Sequence, residues 1–444
     1  MYPFEHKALA ILISTLFLAQ AYGIARAVGT YIFPAALFAL AWFAFSFVPL
    51  VLLIQAPINC LSLLFIFACI SAFSLSALFF DWQRAFAEND RKRVTSFDAL
   101  NSGTIRHCLY VTSLLSVVFS SLSMISNGFD LSSIIFNLIE TSGRYASLRG
   151  QEEIEYGLVG LCSVFFTYLT PALGGLIYLS ESARSRGLRI LAFSLAPALY
   201  YMLTQSTKNA LLLSVVIFVS SVMLAKLLSG DYVLFRKSKT PRLAFYALVL
   251  IPLVSISFLS REGYSNYSSA AEALSLLSYA FLSYALGEIY AFSDFFSYYV
   301  GMHSTQAYKE DYFSLGYYTF KSIFDMFGGT KVFPPGYYEE GFELGDVFAT
   351  NIFTAFRSFI YDFGIFGTIL FMFCLGLVIH GSYYRVLVAR RPWFSAAAFV
   401  VFSVFMLMTY LASVFTARYM FLMGLGLYVI LLVSDKRSAP AAAW

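Results

Sequence analysis

Six basic side chains hold the most chemistry in this chain: Arg144, Arg149, Lys208, Arg261, Arg357 and Arg418. Four of them fall within a few residues of the end of a long apolar run. A guanidinium presents a planar fork of donors that grips phosphate oxygens two at a time and keeps its proton. Several such groups gathered on one face suit a phosphate or pyrophosphate ligand. They would also stabilise a departing pyrophosphate without a metal. The competing explanation is ordinary pairing with nearby carboxylates, Arg261 with Glu262 or Arg357 with Asp362. Lys208 belongs to the run Thr204 to Asn209, the one polar interruption between Ile190 and Leu228. The apolar arm before it reads as about 24 Å long at 1.5 Å per residue. That is shorter than a bilayer core of about 30 Å, so the turn is expected below the surface in a polar depression. A lysine that snorkels to the interface is the alternative.

An attack by a hydroxyl would need a general base. The candidates are Glu288, Asp294 and His303, together with the loop acids Glu310, Asp311, Asp325, Glu339, Glu340, Glu343 and Asp346. Glu288 and Asp294 stand out as acids inside an otherwise apolar helical stretch. No paired aspartates mark a nucleotide-sugar site. Lys331 in the run Gly328 to Lys331 lacks the spacing of a phosphate-binding loop. The five cysteines lie in or beside apolar runs and the four histidines are scattered, so neither a metal nor a cofactor is expected.

These residues must be held by membrane helices. The chain has 444 residues, 59% of them hydrophobic and 12% charged, which excludes an ordinary soluble enzyme. Eleven apolar stretches approach the 20 or so residues that a spanning helix needs. They are roughly 8–25, 30–54, 58–80, 107–126, 157–180, 190–205, 209–228, 243–259, 358–384, 393–412 and 416–433. The expected fold is an all-α polytopic bundle of about 11–12 helices, one integral membrane domain over 1–444. Basic residues cluster around Arg84 to Arg106, Arg184 to Arg189, Arg236 to Arg242, Arg385 to Arg391 and at Lys436 and Arg437. All five clusters fall on one side, which the positive-inside rule makes the cytoplasm. The C-terminus is then cytoplasmic and the N-terminus outside.

Two outer segments remain, 127–156 and 260–357. The second is acidic, rich in tyrosine and far longer than an ordinary connection, so it is expected to be ordered and functional. Its stretch from Ala270 to Tyr299 reads as one amphipathic helix. From Gly345 to Tyr384 a polar segment carrying Arg357 and Asp362 runs without a visible break into an apolar helix.

The run Thr350 to Arg357, followed by Asp362-Phe363-Gly364 and Gly367, resembles the C-terminal signature of Wzy-type polymerases. These enzymes polymerise the O-antigen and oligosaccharide repeat units of bacterial surface polysaccharides. The hairpin around Lys208 is similar too, with lysine where many members have arginine. Tyr284 to Tyr290 resembles the family's loop helix. Arg149 and Gly160 have the spacing seen in some members, whereas Arg357 and Gly367 are one residue closer. The resemblance implies a GT-C-like inner-membrane bundle with an active site facing the periplasm. It implies lipid-linked transfer, the glycan passing from undecaprenyl pyrophosphate to a new lipid-linked repeat unit. Arg149, Lys208, Arg261 and Arg357 would hold the donor pyrophosphate, supported by Arg144, Asp362 and Arg418. A loop acid or His303 would take the acceptor's proton, and tyrosines would stack on sugars. The implied partners are undecaprenyl-pyrophosphate-linked oligosaccharides, membrane lipid and a chain-length regulator protein, with no nucleic acid. The alternatives are an O-antigen ligase or another lipid-glycan transferase, and a flippase or transporter of lipid-linked sugars. A transporter should show inverted repeats and mid-membrane charge, and neither is visible.

Overall fold

The computed structural model describes residues 3–100, 103–151, 153–155, 157–180, 184–234, 270–309, 313–328 and 338–438. The expected span 243–259, Arg261, Glu310 and Asp311 lie outside the described residues. The described residues are mostly helical, with one two-stranded sheet. Among them, nine helices are long and apolar enough to cross a membrane, and the chain is a multi-pass membrane protein.

Contacts divide the chain into two compact units. The first comprises 1–83, 278–384 and 405–418. It opens with α1 (Pro3–Val28), α2 (Pro34–Leu52) and α3 (Cys60–Leu75). These helices are apolar on most sides, as spans must be, so small polar groups fix how they pack. Ser14 meets Ser46 at 2.7 Å, joining α1 to α2, and Gln20 donates to Ser74 at 3.0 Å, joining α1 to α3. Lys7 is buried and donates at 2.8 Å to both the Ala56 carbonyl and the Tyr290 hydroxyl.

The second unit comprises 84–277, 385–404 and 419–444. It holds α4 (Trp82–Leu100) from its third residue onward, α5 (Gly103–Ser126), α6 (Leu131–Phe136), α7 (Leu138–Gly150), α8 (Leu158–Tyr178), α9 (Arg184–Gln205) and α10 (Lys208–Leu228). Helix α8 is its centre, packed on α5, α9 and α10. Gly175 allows this, because a Cβ there would collide with the Phe218 backbone and the Ser221 side chain. Ser116 and Thr167 join α5 to α8 at 2.6 Å.

The remaining elements correct two sequence expectations. The helix expected over 270–299 is two, α11 (Ala270–Ala285) and α12 (Glu288–Tyr299), broken at Leu286 and Gly287. After the short α13 (Lys321–Met326), the chain makes a hairpin of β1 (Phe342–Leu344) and β2 (Phe348–Thr350). Phe342 pairs with Thr350 and Leu344 with Phe348. Next comes α14 (Ala355–Val388), which is not continuous: Gly364 breaks it with φ 68° and ψ −177°. That left-handed φ favours glycine, and a Cβ would stand 3.1 Å from the Phe313 ring. Two further helices, α15 (Trp393–Met408) and α16 (Arg418–Ser438), complete the described chain.

Helix α9 also revises the argument about Lys208. It has 22 residues, or about 33 Å, because it continues back through Arg184 to Arg189. The arm is therefore not short. Thr204, Gln205 and Ser206 are nonetheless fully buried, covered by protein.

Candidate functional site

In the first unit the site is built around Arg357, the third residue of α14. Its side chain has no solvent exposure at all. The guanidinium carbon lies 3.8 Å from the centroid of Tyr338, 4.1 Å from Phe353 and 4.9 Å from Phe295. Tyr308 and Tyr361 follow at 5.0 and 5.3 Å. Ring faces are electron-rich, so this aromatic box stabilises a cation that hydrocarbon alone would exclude. Nη2 donates to Glu340 Oε2 at 2.7 Å and to the Tyr361 hydroxyl at 3.0 Å. Nε and Nη1 have no hydrogen-bond partner among the described residues. Buried unpaired donors on a charged group are costly and need an explanation.

The surrounding chain locks the box. Tyr361 donates to the Lys309 carbonyl at 2.8 Å, and Tyr338 meets Ser358 at 2.7 Å. Glu340 Oε1 accepts the Lys309 N–H at 2.5 Å. Burial pushes the Glu340 carboxyl up, but the Lys309 N–H and the Arg357 charge outweigh it and hold it below the usual range. Burial pushes the phenols of Tyr308 and Tyr338 up, so both stay neutral.

Asp362 does not pair with Arg357. Its Oδ1 accepts Ser314 Oγ at 2.6 Å and the Tyr318 N–H at 2.9 Å. Its Oδ2 accepts the Thr319 N–H at 2.6 Å and Thr319 Oγ1 at 2.5 Å. One buried carboxylate thus ties the segment 314–319 to α14, which fits it to support the site from behind.

Asp294 is engaged as well, accepting the Thr305 N–H and hydroxyl at 2.8 Å and the Tyr308 hydroxyl at 2.7 Å. It thereby sets one ring of the box. Glu288 begins α12 and is buried, with Oε1 lacking a partner among the described residues. Burial pushes its carboxyl up to about 8, so at neutral pH it is mostly protonated and fit to donate rather than accept. His303 is exposed on the turn after α12, and Arg418 is exposed at the start of α16.

The second unit holds Arg144, Arg149 and Lys208. Arg149 closes the turn between α9 and α10. Its Nη1 donates to the Gln205 carbonyl at 3.2 Å and to Thr207 Oγ1 at 2.7 Å, and its Nη2 to the Ser206 carbonyl at 3.5 Å. Ser206 carries a left-handed φ of 51°, a conformation that needs such support. Gln205 in turn donates to Ser120 at 3.0 Å. Lys208, half-buried, is the first residue of α10, directly after this turn. Arg144 lies over the Phe129 ring at 5.4 Å. Arg149 and Lys208 are thus brought together in one unit, and Arg357 belongs to the other.

Sequence reasoning singled out neither Glu340 as the Arg357 partner nor Tyr308, Tyr338 and Tyr361 as its box. The one signal was the run Tyr337 to Glu340, where aromatic and acidic residues adjoin. Comparison with family models, with curated proteins and with solved structures finds no match.

Proposed function

We propose that the protein is a polymerase of lipid-linked oligosaccharide repeat units, working at the outer face of a bacterial inner membrane. The growing glycan leaves undecaprenyl pyrophosphate and joins a new lipid-linked repeat unit. The observation that carries this reading is Arg357: a permanent cation, wholly buried where a membrane helix begins, with Nε and Nη1 unpaired among the described residues. A pyrophosphate supplies the multiple oxygens that such a guanidinium lacks. The resemblance of Thr350 to Gly367 to the polymerase signature names the chemistry, and the multi-pass architecture suits a lipid-borne substrate. The enzyme then needs no resident cofactor. Arg357 holds the leaving pyrophosphate. The neutral tyrosines offer faces for sugar rings.

The glycan-length profile of a deletion strain tests this reading. Single repeat units on the lipid A core are expected, because capping still proceeds when polymerisation stops. A core with no repeat unit would favour the ligase or flippase reading instead.

A further inference from the structure

We propose that Glu340 is the base of this reaction, held inactive until the donor pyrophosphate takes its place on Arg357. The inference rests on the polymerase reading above. Five rings enclose the Arg357 guanidinium, and none is more than 8% exposed. Among the described side chains that touch the guanidinium, Glu340 is the most exposed, at 16%. An anion arriving from solvent meets Arg357 by displacing that carboxylate.

Displacement is favoured by what the carboxylate leaves undone. Glu340 satisfies Nη2 alone, while Nε and Nη1 remain without partners among the described residues. A diphosphate brings enough oxygens to reach Nη2 and Nη1 together, which a single carboxylate oxygen does not. Glu340 stays close when it yields, because Oε1 remains held by the Lys309 N–H. Its basicity then changes in the required direction. Beside Arg357 the carboxylate is held below its ordinary range. Without that partner, burial pushes it up, and it becomes a better acceptor as the donor substrate arrives.

The two acids of α12 are less suited. Asp294 already accepts three hydrogen bonds, and Glu288 is mostly protonated at neutral pH. In the proposed step the acceptor hydroxyl oxygen bonds to the anomeric carbon. The bond from that carbon to the pyrophosphate oxygen breaks, and its electron pair leaves on the pyrophosphate, facing Arg357. The hydroxyl proton passes to Glu340 Oε2 and then to water.

The test uses the full-length protein in lipid nanodiscs with undecaprenyl pyrophosphate as the probe, and glycan ladders from cells carrying the same variants. Glu340→Gln removes the charge and keeps an oxygen for the Lys309 N–H. It should bind the probe about tenfold more tightly, the gain expected if the site is open about one-tenth of the time in the parent protein. It should make no polymer. Glu340→Asp retains a carboxylate and should make a shortened ladder, with membrane levels reporting that both variants fold. Unchanged affinity in Glu340→Gln would overturn the displacement, and a normal ladder would overturn the role as base. A parent protein that folds and does not bind the probe would overturn the polymerase reading itself.

Discussion

Arg149 and Arg357 look alike in the sequence, one cation near the end of an apolar stretch in each case, but the fold uses them in opposite ways. Arg149 stands in the last turn of α7, where the helix dipole welcomes a positive charge. Its donors go to carbonyls at the end of α9 and to the following turn. That is structural work, and its benefit to stability is evident. Arg357 stands in the first turn of α14, where the helix dipole opposes a positive charge. It is fully buried and boxed by rings, and its Nε and Nη1 are unpaired among the described residues. A buried cation with donors left over in this way is better explained by a ligand than by the fold.

The largest test of this contrast is Arg357→Ala against Arg149→Ala. Arg357→Ala should abolish polymer while the protein still inserts, with a smaller loss of unfolding stability than Arg149→Ala, because Glu340 keeps the Lys309 N–H and is part-exposed. Glycan ladders and thermal unfolding in nanodiscs read the two effects. Arg357→Lys comes next. It keeps the charge and loses the planar fork, so polymerisation should fall by about tenfold to a hundredfold. Arg149→Ala should act through stability, with a loss of about 2 kcal/mol as the Gln205 and Ser206 carbonyls lose their donor. Polymerisation should then recover at low temperature, as it should not for Arg357→Ala. Recovery in both variants would erase the distinction.

The smallest effect on polymerisation belongs to Glu288, which bears on stability. Its carboxyl is raised by burial from 4.5 to about 8, so the folded state binds a proton that the unfolded chain releases. Its contribution to stability is full below pH 4.5 and is lost as pH rises to about 8. Within that window the slope approaches 1.4 kcal/mol per pH unit. Glu288→Gln should match the parent near pH 5 and unfold at a higher temperature near pH 8. Parallel pH profiles would remove the buried neutral acid.

The membrane helices were legible because their length and apolar content are dictated by the bilayer. The breaks were not. Gly364 lies between apolar neighbours, and only the packing of Phe313 shows why the chain turns there. The hairpin 342–350 is too short to leave a periodic signal. The alternative Arg357–Asp362 pairing fails for a helical reason. Residues five apart do not share a face, whereas residues four apart do. Tyr361, at the fourth position, is the one that bonds Arg357. Glu340 reaches the same cation from 17 residues upstream, through a fold that spacing does not reveal.

The most direct measurement is the surface-glycan length profile of a strain whose only copy carries Arg357→Ala at normal membrane abundance. Single repeat units without longer chains are expected. A normal ladder would contradict the assignment of Arg357 to the donor pyrophosphate.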